Sequence, residues 1–78
     1  MKQYVIYSTD DMGFGELEYR EYNNLKELLA DFFDYTENNT ENEQTMAREF
    51  EEHWAEYCHD RSPISIMDLQ TKTEIVNI

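Results

Sequence analysis

Apolar and polar residues alternate in the first part of the chain, a pattern typical of β-strands. Residues 3–9 are rich in β-branched and aromatic side chains, and residues 16–21 alternate apolar with charged positions. Both glycines of the chain lie in the segment between them, residues 10–15. The pattern therefore predicts a β-hairpin.

The next apolar residues recur at helical spacing instead. They are Leu25, Leu28, Leu29, Phe32 and Phe33. Asn24 precedes them and Glu27 follows three positions later, which is the arrangement of a capping box. We therefore expect a first helix from about Leu25 to Tyr35.

A second helix is predicted after a polar break. Residues 36–45 contain no apolar side chain and predict a loop. The helix is expected to begin between Asn42 and Thr45 and to end before Pro63, which disfavours a helical residue before it. Its apolar residues share one side of the helix at about 100° per residue. They are Met46, Phe50, Trp54 and Tyr57.

The last part of the chain returns to strand-forming residues. Ile64 to Leu69 and Glu74 to Asn77 predict two short strands, joined by a tight turn at residues 70–73. The predicted order is β-β-α-α-β-β, in a single domain of residues 1–78. Strands on either side of two adjacent helices favour an α+β fold, a short antiparallel sheet with two helices packed on one face.

The charge of the chain limits its partners. Eighteen acidic residues stand against six basic ones, for a net charge of −12. Residues 27–60 hold eleven of the acidic residues and one base, Arg48. Such a surface repels nucleic acid phosphates and anionic membranes. We therefore expect a basic partner protein, with neither direct nucleic-acid binding nor membrane binding.

The N-terminus and the cysteine content indicate the compartment. The first nine residues contain one lysine and a four-residue apolar run, which fits neither a signal peptide nor a membrane span. Cys58 is the single cysteine, which excludes an internal disulfide and is typical of a reducing compartment. We therefore expect a cytoplasmic protein.

Carboxylates follow one side of each predicted helix. In the second helix they occupy an arc of about 80°, separate from the apolar arc. Like charges three or four residues apart destabilise a helix by roughly 0.2–0.5 kcal/mol per pair, so folding gains nothing from the arrangement. The rows are either a solvated face that maintains solubility or a partner-binding surface. The partner-binding candidates are Glu49, Glu52, Glu56 and Asp60 in the second helix, and Glu27, Asp31 and Asp34 in the first.

The second predicted helix gives little support for a metal site or for catalysis. Glu56 and His59 have the E-x-x-H spacing of a di-iron site, but the second copy that such a site needs is missing. His53 and His59 are six residues apart and project in different directions, which argues against a shared zinc ion. We therefore expect no metal site, no cofactor, no catalytic residue and no enzymatic activity.

The small size, the acidity and the acid-striped helices on a short sheet resemble the DNA-mimicking inhibitors of bacteriophages, both anti-restriction and anti-CRISPR proteins. Over about 25 residues, Phe50, Trp54 and Tyr57 followed by MDLQTKTEI are similar to the aromatic helix and C-terminal tail of an anti-CRISPR protein. The resemblance implies a non-enzymatic inhibitor that blocks the basic DNA- or RNA-binding channel of a defence nuclease, in the cytoplasm of the host cell. It implies no particular binding residues, and the element order here is different.

A second hypothesis belongs to another class of protein. An acidic adaptor or regulatory module would bind some other basic protein, or a second copy of itself, through exposed aromatic side chains. Phe14 and Tyr22 are the candidates for such anchors.

Overall fold

The computed structural model describes residues 1–9, 13–37, 40, 42–57 and 64–78, except for the side chain of Tyr57. The predicted element order and the α+β class are confirmed. The elements are β1 (Lys2–Thr9), β2 (Gly15–Tyr22), α1 (Leu25–Phe33), α2 (Glu43–Tyr57), β3 (Ile64–Asp68) and β4 (Thr73–Asn77). The predicted hairpin turn between β1 and β2 falls partly on residues 10–12, outside the described residues.

The four strands form one antiparallel sheet in the order β2-β1-β3-β4. β1 pairs with β2 along its whole length, from Lys2 opposite Tyr22 to Thr9 opposite Gly15. Its other side pairs with β3, which in turn pairs with β4. The N-terminal and C-terminal hairpins are therefore joined through their central strands, and β2 and β4 are the edges.

One face of the sheet and one side of each helix form the hydrophobic core. Side chains alternate between the two faces of a strand, and directly opposed residues share a face. The buried side chains of the sheet core are Tyr4, Ile6, Ile64, Ile66 and Val76. They form one cluster with buried residues of both helices, Leu25, Leu28, Leu29, Met46, Phe50 and Trp54 among them. Both helices therefore pack on this face, which we call the inner face.

Hydrogen bonds at both ends determine the length of α1. The side chain of Asn24 accepts a hydrogen bond from the backbone N–H of Glu27, at 2.9 Å. The Glu27 carboxylate accepts one from the backbone N–H of Asn23, at 2.8 Å, so the capping box reaches one residue further back than usual. At the other end Asp34 adopts a left-handed conformation with φ 56°. The backbone N–H of Tyr35 donates a hydrogen bond to the carbonyl of Leu29, at 2.9 Å. The helix therefore ends two residues before the predicted Tyr35.

The start of α2 lies inside the predicted window. The side chain of Asn42 accepts a hydrogen bond from the backbone N–H of Thr45, at 3.1 Å, and its own backbone N–H donates to the Thr40 hydroxyl. These bonds satisfy donors that a helix N-terminus leaves open, so the helix begins at Glu43. Pro63, the predicted limit of the helix, lies outside the described residues.

Aromatic rings join the two helices. The ring centroid of Phe33 lies 5.1 Å from that of Phe50 and 5.2 Å from that of Trp54. On the other side of Phe50, the ring of Tyr35 lies at 5.4 Å in an edge-on arrangement. Trp54 is 7% exposed, which confirms the expectation that it belongs to the core. This packing connects α2 to α1 and to the residue that follows the α1 cap.

Two tyrosines of the inner face are held in their neutral form. Burial, with three nearby carboxylates adding to the effect, raises the pKa of Tyr4 to about 12. Burial and a hydrogen bond to Asp31 raise the pKa of Tyr22 to about 12. The hydroxyl of Tyr4 has no hydrogen-bond partner in the described part of the chain.

These shifts predict loss of stability at alkaline pH. The unfolded chain releases the tyrosine protons near pH 10, whereas the folded chain keeps them to about pH 12, so stability falls as pH rises through that window. Each tyrosine accounts for up to about 2.7 kcal/mol of that fall over the whole window, and for about 1.4 kcal/mol by pH 11. Urea unfolding at pH 8, 10 and 11 measures it. The variants Tyr4→Phe and Tyr22→Phe should each lose less stability than the parent chain over this range, and parallel curves would contradict the assignment.

Candidate protein-binding surface

The carboxylates of α2 form an exposed row. Glu49, Glu52 and Glu56 are all exposed, on the side of α2 turned away from the buried Phe50 and Trp54. In the described part of the chain, none of the three makes a hydrogen bond or an ion pair. We call these three residues the α2 acid row. Asp60, the fourth predicted member, lies outside the described residues.

The carboxylates of α1 are also exposed, but each has a local structural role. Glu27 closes the N-terminus of the helix through Asn23. Asp31 accepts a hydrogen bond from the Tyr22 hydroxyl, at 2.8 Å. Asp34 is the left-handed residue at the helix C-terminus, a conformation that Asp tolerates better than most residues. Folding alone therefore accounts for these three acidic residues.

A basic residue also lies beside the α1 carboxylates. The Arg20 guanidinium lies over the ring of Phe32, 5.5 Å from its centroid, and pairs with Glu18 at 2.7 Å. The hydrogen bond and charge of Glu18 raise the pKa of Arg20, and Asp31 adds a smaller effect. Arg20 therefore places one positive charge near Asp31, but that charge is already paired with Glu18 of the same strand.

The two sets of carboxylates lie at different borders of the helical layer. Glu27 and Asp31 line a shallow depression of about 560 Å³ beside β2, together with Glu21 and Met1. α2 lies next to β4 instead, where Glu51 accepts a hydrogen bond from the backbone N–H of Asn77. The sequence could not show this separation, because it depends on which strand each helix covers.

One member of the α2 acid row, Glu49, acts electrostatically on a neighbouring tyrosine. Burial raises the pKa of Tyr35, and the charges of Glu49 and Glu37 raise it further. The half-buried ring of His53 packs on Tyr35 with its centroid at 5.0 Å. An acidic patch therefore borders the aromatic contact between the helices.

The groove between α2 and the β3–β4 hairpin is lined by four carboxylates and two bases, and one of the bases lies between two of the carboxylates. The groove has a volume of about 460 Å³ and contains Lys2, Glu43 and Asp68. The Lys2 ammonium lies 4.0 Å from both carboxylates, and the buried Asp68 also accepts a hydrogen bond from the backbone N–H of Gln70. Among the described residues, no group of three or more His, Cys, Asp or Glu side chains is arranged to hold a metal ion. Cys58 and His59 lie outside that part of the chain.

One predicted aromatic anchor is wrong. Phe14 is 67% exposed, but Tyr22 is only 9% exposed and packs on Tyr4 with its hydroxyl on Asp31. The exposed apolar residues that sequence reasoning missed are Leu17 and Tyr19, at 62% and 73%. The sequence shows that Tyr22 points to the other face of β2, since it is an odd number of residues from both, but it does not show which face the helices cover.

Comparison with known proteins gives no further guide to the site. No protein-family model matches the chain, and neither a curated protein nor a solved structure matches it. Neither of the described helices has the length and apolar character that crossing a membrane requires. The surface must therefore be interpreted from its own geometry.

The different roles of the two acidic sets can be tested by a double-mutant cycle. Asp31→Ala and Tyr22→Phe should be non-additive, with a coupling free energy of about 1 kcal/mol, because both remove the same hydrogen bond. Glu52→Ala combined with Tyr22→Phe is the matched control and should be additive. Urea unfolding of the single and double variants measures both. Additive effects of Asp31 and Tyr22 would show that the hydrogen bond contributes nothing to stability.

Proposed function

We propose that this protein is a non-enzymatic inhibitor that mimics nucleic acid and blocks the basic DNA- or RNA-binding channel of a defence nuclease. The α2 acid row is the main contact, and Asp60, which lies outside the described residues, is the fourth proposed contact residue of this segment. The observation that carries the proposal is that three neighbouring carboxylates are exposed without any partner in the described part of the chain.

The spacing of the row supports this proposal. Residues three and four apart on a helix lie about 5–6 Å from each other, and phosphates along one strand of DNA repeat at about 3.4 Å of axis. A channel that holds a duplex through Lys and Arg could accept such a row of charges. The counterions released from the channel would add to the attraction, as they do for nucleic acid.

The core contacts of α2 also support the proposed binding role. Phe50 and Trp54 are held in the core on the opposite side, and Phe33 packs on both. A binding surface on a well-packed helix loses less conformational entropy on association than one on a loop. The core contacts thus position the backbone of the row before a partner arrives.

The acidic residues of α1 have a secondary role in the proposal. Glu27, Asp31 and Asp34 remain exposed while they hold the helix ends and Tyr22. Their charges add to the negative field that steers a basic partner toward the helical layer. Direct contact with the partner is assigned to the α2 acid row, and the three α1 residues contribute through their charge.

Neutralising the α2 acid row should abolish inhibition. The variant that replaces Glu49, Glu52 and Glu56 by glutamine should fold with unchanged or higher stability, because repulsion along the helix falls. Purified restriction enzymes and RNA-guided nucleases, titrated with the protein in DNA-cleavage assays, provide the measurement. For any enzyme that the parent chain inhibits, the variant should be at least about tenfold weaker, a loss of about 1.4 kcal/mol.

A charge-matched variant provides the control for this experiment. Replacing Glu16, Glu18 and Glu74 by glutamine removes the same number of charges from the strands and should leave inhibition nearly unchanged. Equal losses in the two variants would show that net charge alone matters. Full inhibition by the folded α2 variant would reject the proposed contact.

Salt should weaken the same interaction steeply. Because exposed charge pairs are screened and counterions are released, the apparent affinity should fall at least about tenfold between roughly 0.1 and 0.5 M salt. Excess duplex DNA should compete with the protein for the enzyme. An affinity that survives at high salt would instead favour the adaptor hypothesis, in which an apolar interface dominates.

A further inference from the structure

The face of the sheet opposite the helices carries an apolar surface. The strand register places Leu17 opposite Tyr7 and Tyr19 opposite Val5, and Val5 lies opposite Met67 on its other side. These five residues share one face across three strands, and we call them the open-face patch. Leu17 and Tyr19 are 62% and 73% exposed there.

The composition of β2 does not explain the patch, because this strand also has charged residues that could have occupied the open face. β2 turns Glu16, Glu18 and Arg20 toward the side of the sheet that carries the helices, and its apolar Leu17 and Tyr19 away from it. A strand covered on one side ordinarily has the reverse polarity. Since burying Leu17 and Tyr19 would favour folding, their outward position indicates a surface that another molecule covers.

A close contact between Tyr7 and Gly15 of the β1–β2 hairpin lies next to this patch. The ring of Tyr7 lies where a side chain at position 15 would be, and any Cβ there would collide with it. Gly15 therefore allows the Tyr7 ring to lie across the end of β2. Such covering of an edge glycine by a cross-strand ring stabilises the register of the hairpin.

The charges around the patch define its occupant. Glu21 lies on this face beside Gln3, whose side-chain amide donates a hydrogen bond to the Glu21 carboxylate. Among the described residues, no lysine or arginine occupies a strand position of this face, because Lys2 and Arg20 belong to the helix side. A second copy would bring two chains of net charge −12 together, whereas a positively charged segment would be attracted.

We propose that the open-face patch binds a positively charged protein segment whose apolar side chains cover Leu17 and Tyr19. Lysines or arginines of the segment lie beside Glu21. The surface is on the other side of the sheet from the α2 acid row, so this inference does not rest on what that row binds. Because part of the open-face patch is apolar, binding of the segment there should depend less on salt than binding at the α2 acid row does.

Synthetic peptides test this assignment. Three fluorescent peptides of equal length would alternate lysine with valine, lysine with serine, and glutamate with valine. At about 0.15 M salt the lysine–valine peptide should bind at least about tenfold more tightly than either control, since both attraction and apolar burial are then present. Fluorescence anisotropy measures the affinities.

Two variants locate the binding site. Replacing Leu17 and Tyr19 by serine changes exposed positions, and should reduce lysine–valine binding to the level of the lysine–serine peptide. The glutamine variant of Glu49, Glu52 and Glu56 should keep the tenfold preference, whether or not it still inhibits a nuclease. Circular dichroism checks that both variants fold, and chemical shift changes at the Met67 methyl group report on the face directly.

Three results would overturn the inference. One is equal binding of the lysine–valine and lysine–serine peptides, including no binding of either. Another is a preference that disappears in the α2 variant and survives in the Leu17 and Tyr19 variant. The third is a dimer in sedimentation experiments that the Leu17 and Tyr19 variant dissociates, since the occupant would then be a second copy.

Discussion

The pairing of β1 with β3 is the contact on which the rest of the structure depends. It joins two hairpins that are separated by both helices in the chain, with Ile6 opposite Ile66 and Tyr4 opposite Asp68. Because directly opposed residues share a face, this register determines which side chains the helices cover. A shift by one residue would bring Val5 and its neighbours under the helices and turn the core side chains outward.

The same core allows α2 to carry repelling charges. Each pair of like charges on a helix costs roughly 0.2–0.5 kcal/mol, whereas burying a large apolar side chain contributes about 1.5–3 kcal/mol. Met46, Phe50 and Trp54 are all less than a tenth exposed. Packing on one side of α2 therefore outweighs repulsion on the other, and the acidic surface is compatible with a stable fold.

Local patterns in the sequence were enough to predict the elements, and nonlocal pairing was not. The cap at Asn24 and the core position of Trp54 follow from spacing within one helix. The strand order, and the outward direction of Leu17, depend on which strands become neighbours. A period of two shows that alternate residues share a face, but not which face is covered. The early end of α1 depended on Asp34 adopting a left-handed conformation, which few sequence signals mark.

The acidic residues show the same division between local and nonlocal information. A helical wheel gives Asp31 and Glu52 the same description, since both are exposed acids away from an apolar stripe. Their roles differ because Tyr22, from β2, supplies a hydroxyl to Asp31, and no described residue supplies a partner to Glu52. Spacing can locate a charged row, but only the neighbouring elements determine which of its charges are already used in folding. The carboxylates that make no contact within the fold are the ones for which an ion pair with a basic partner is a new favourable interaction.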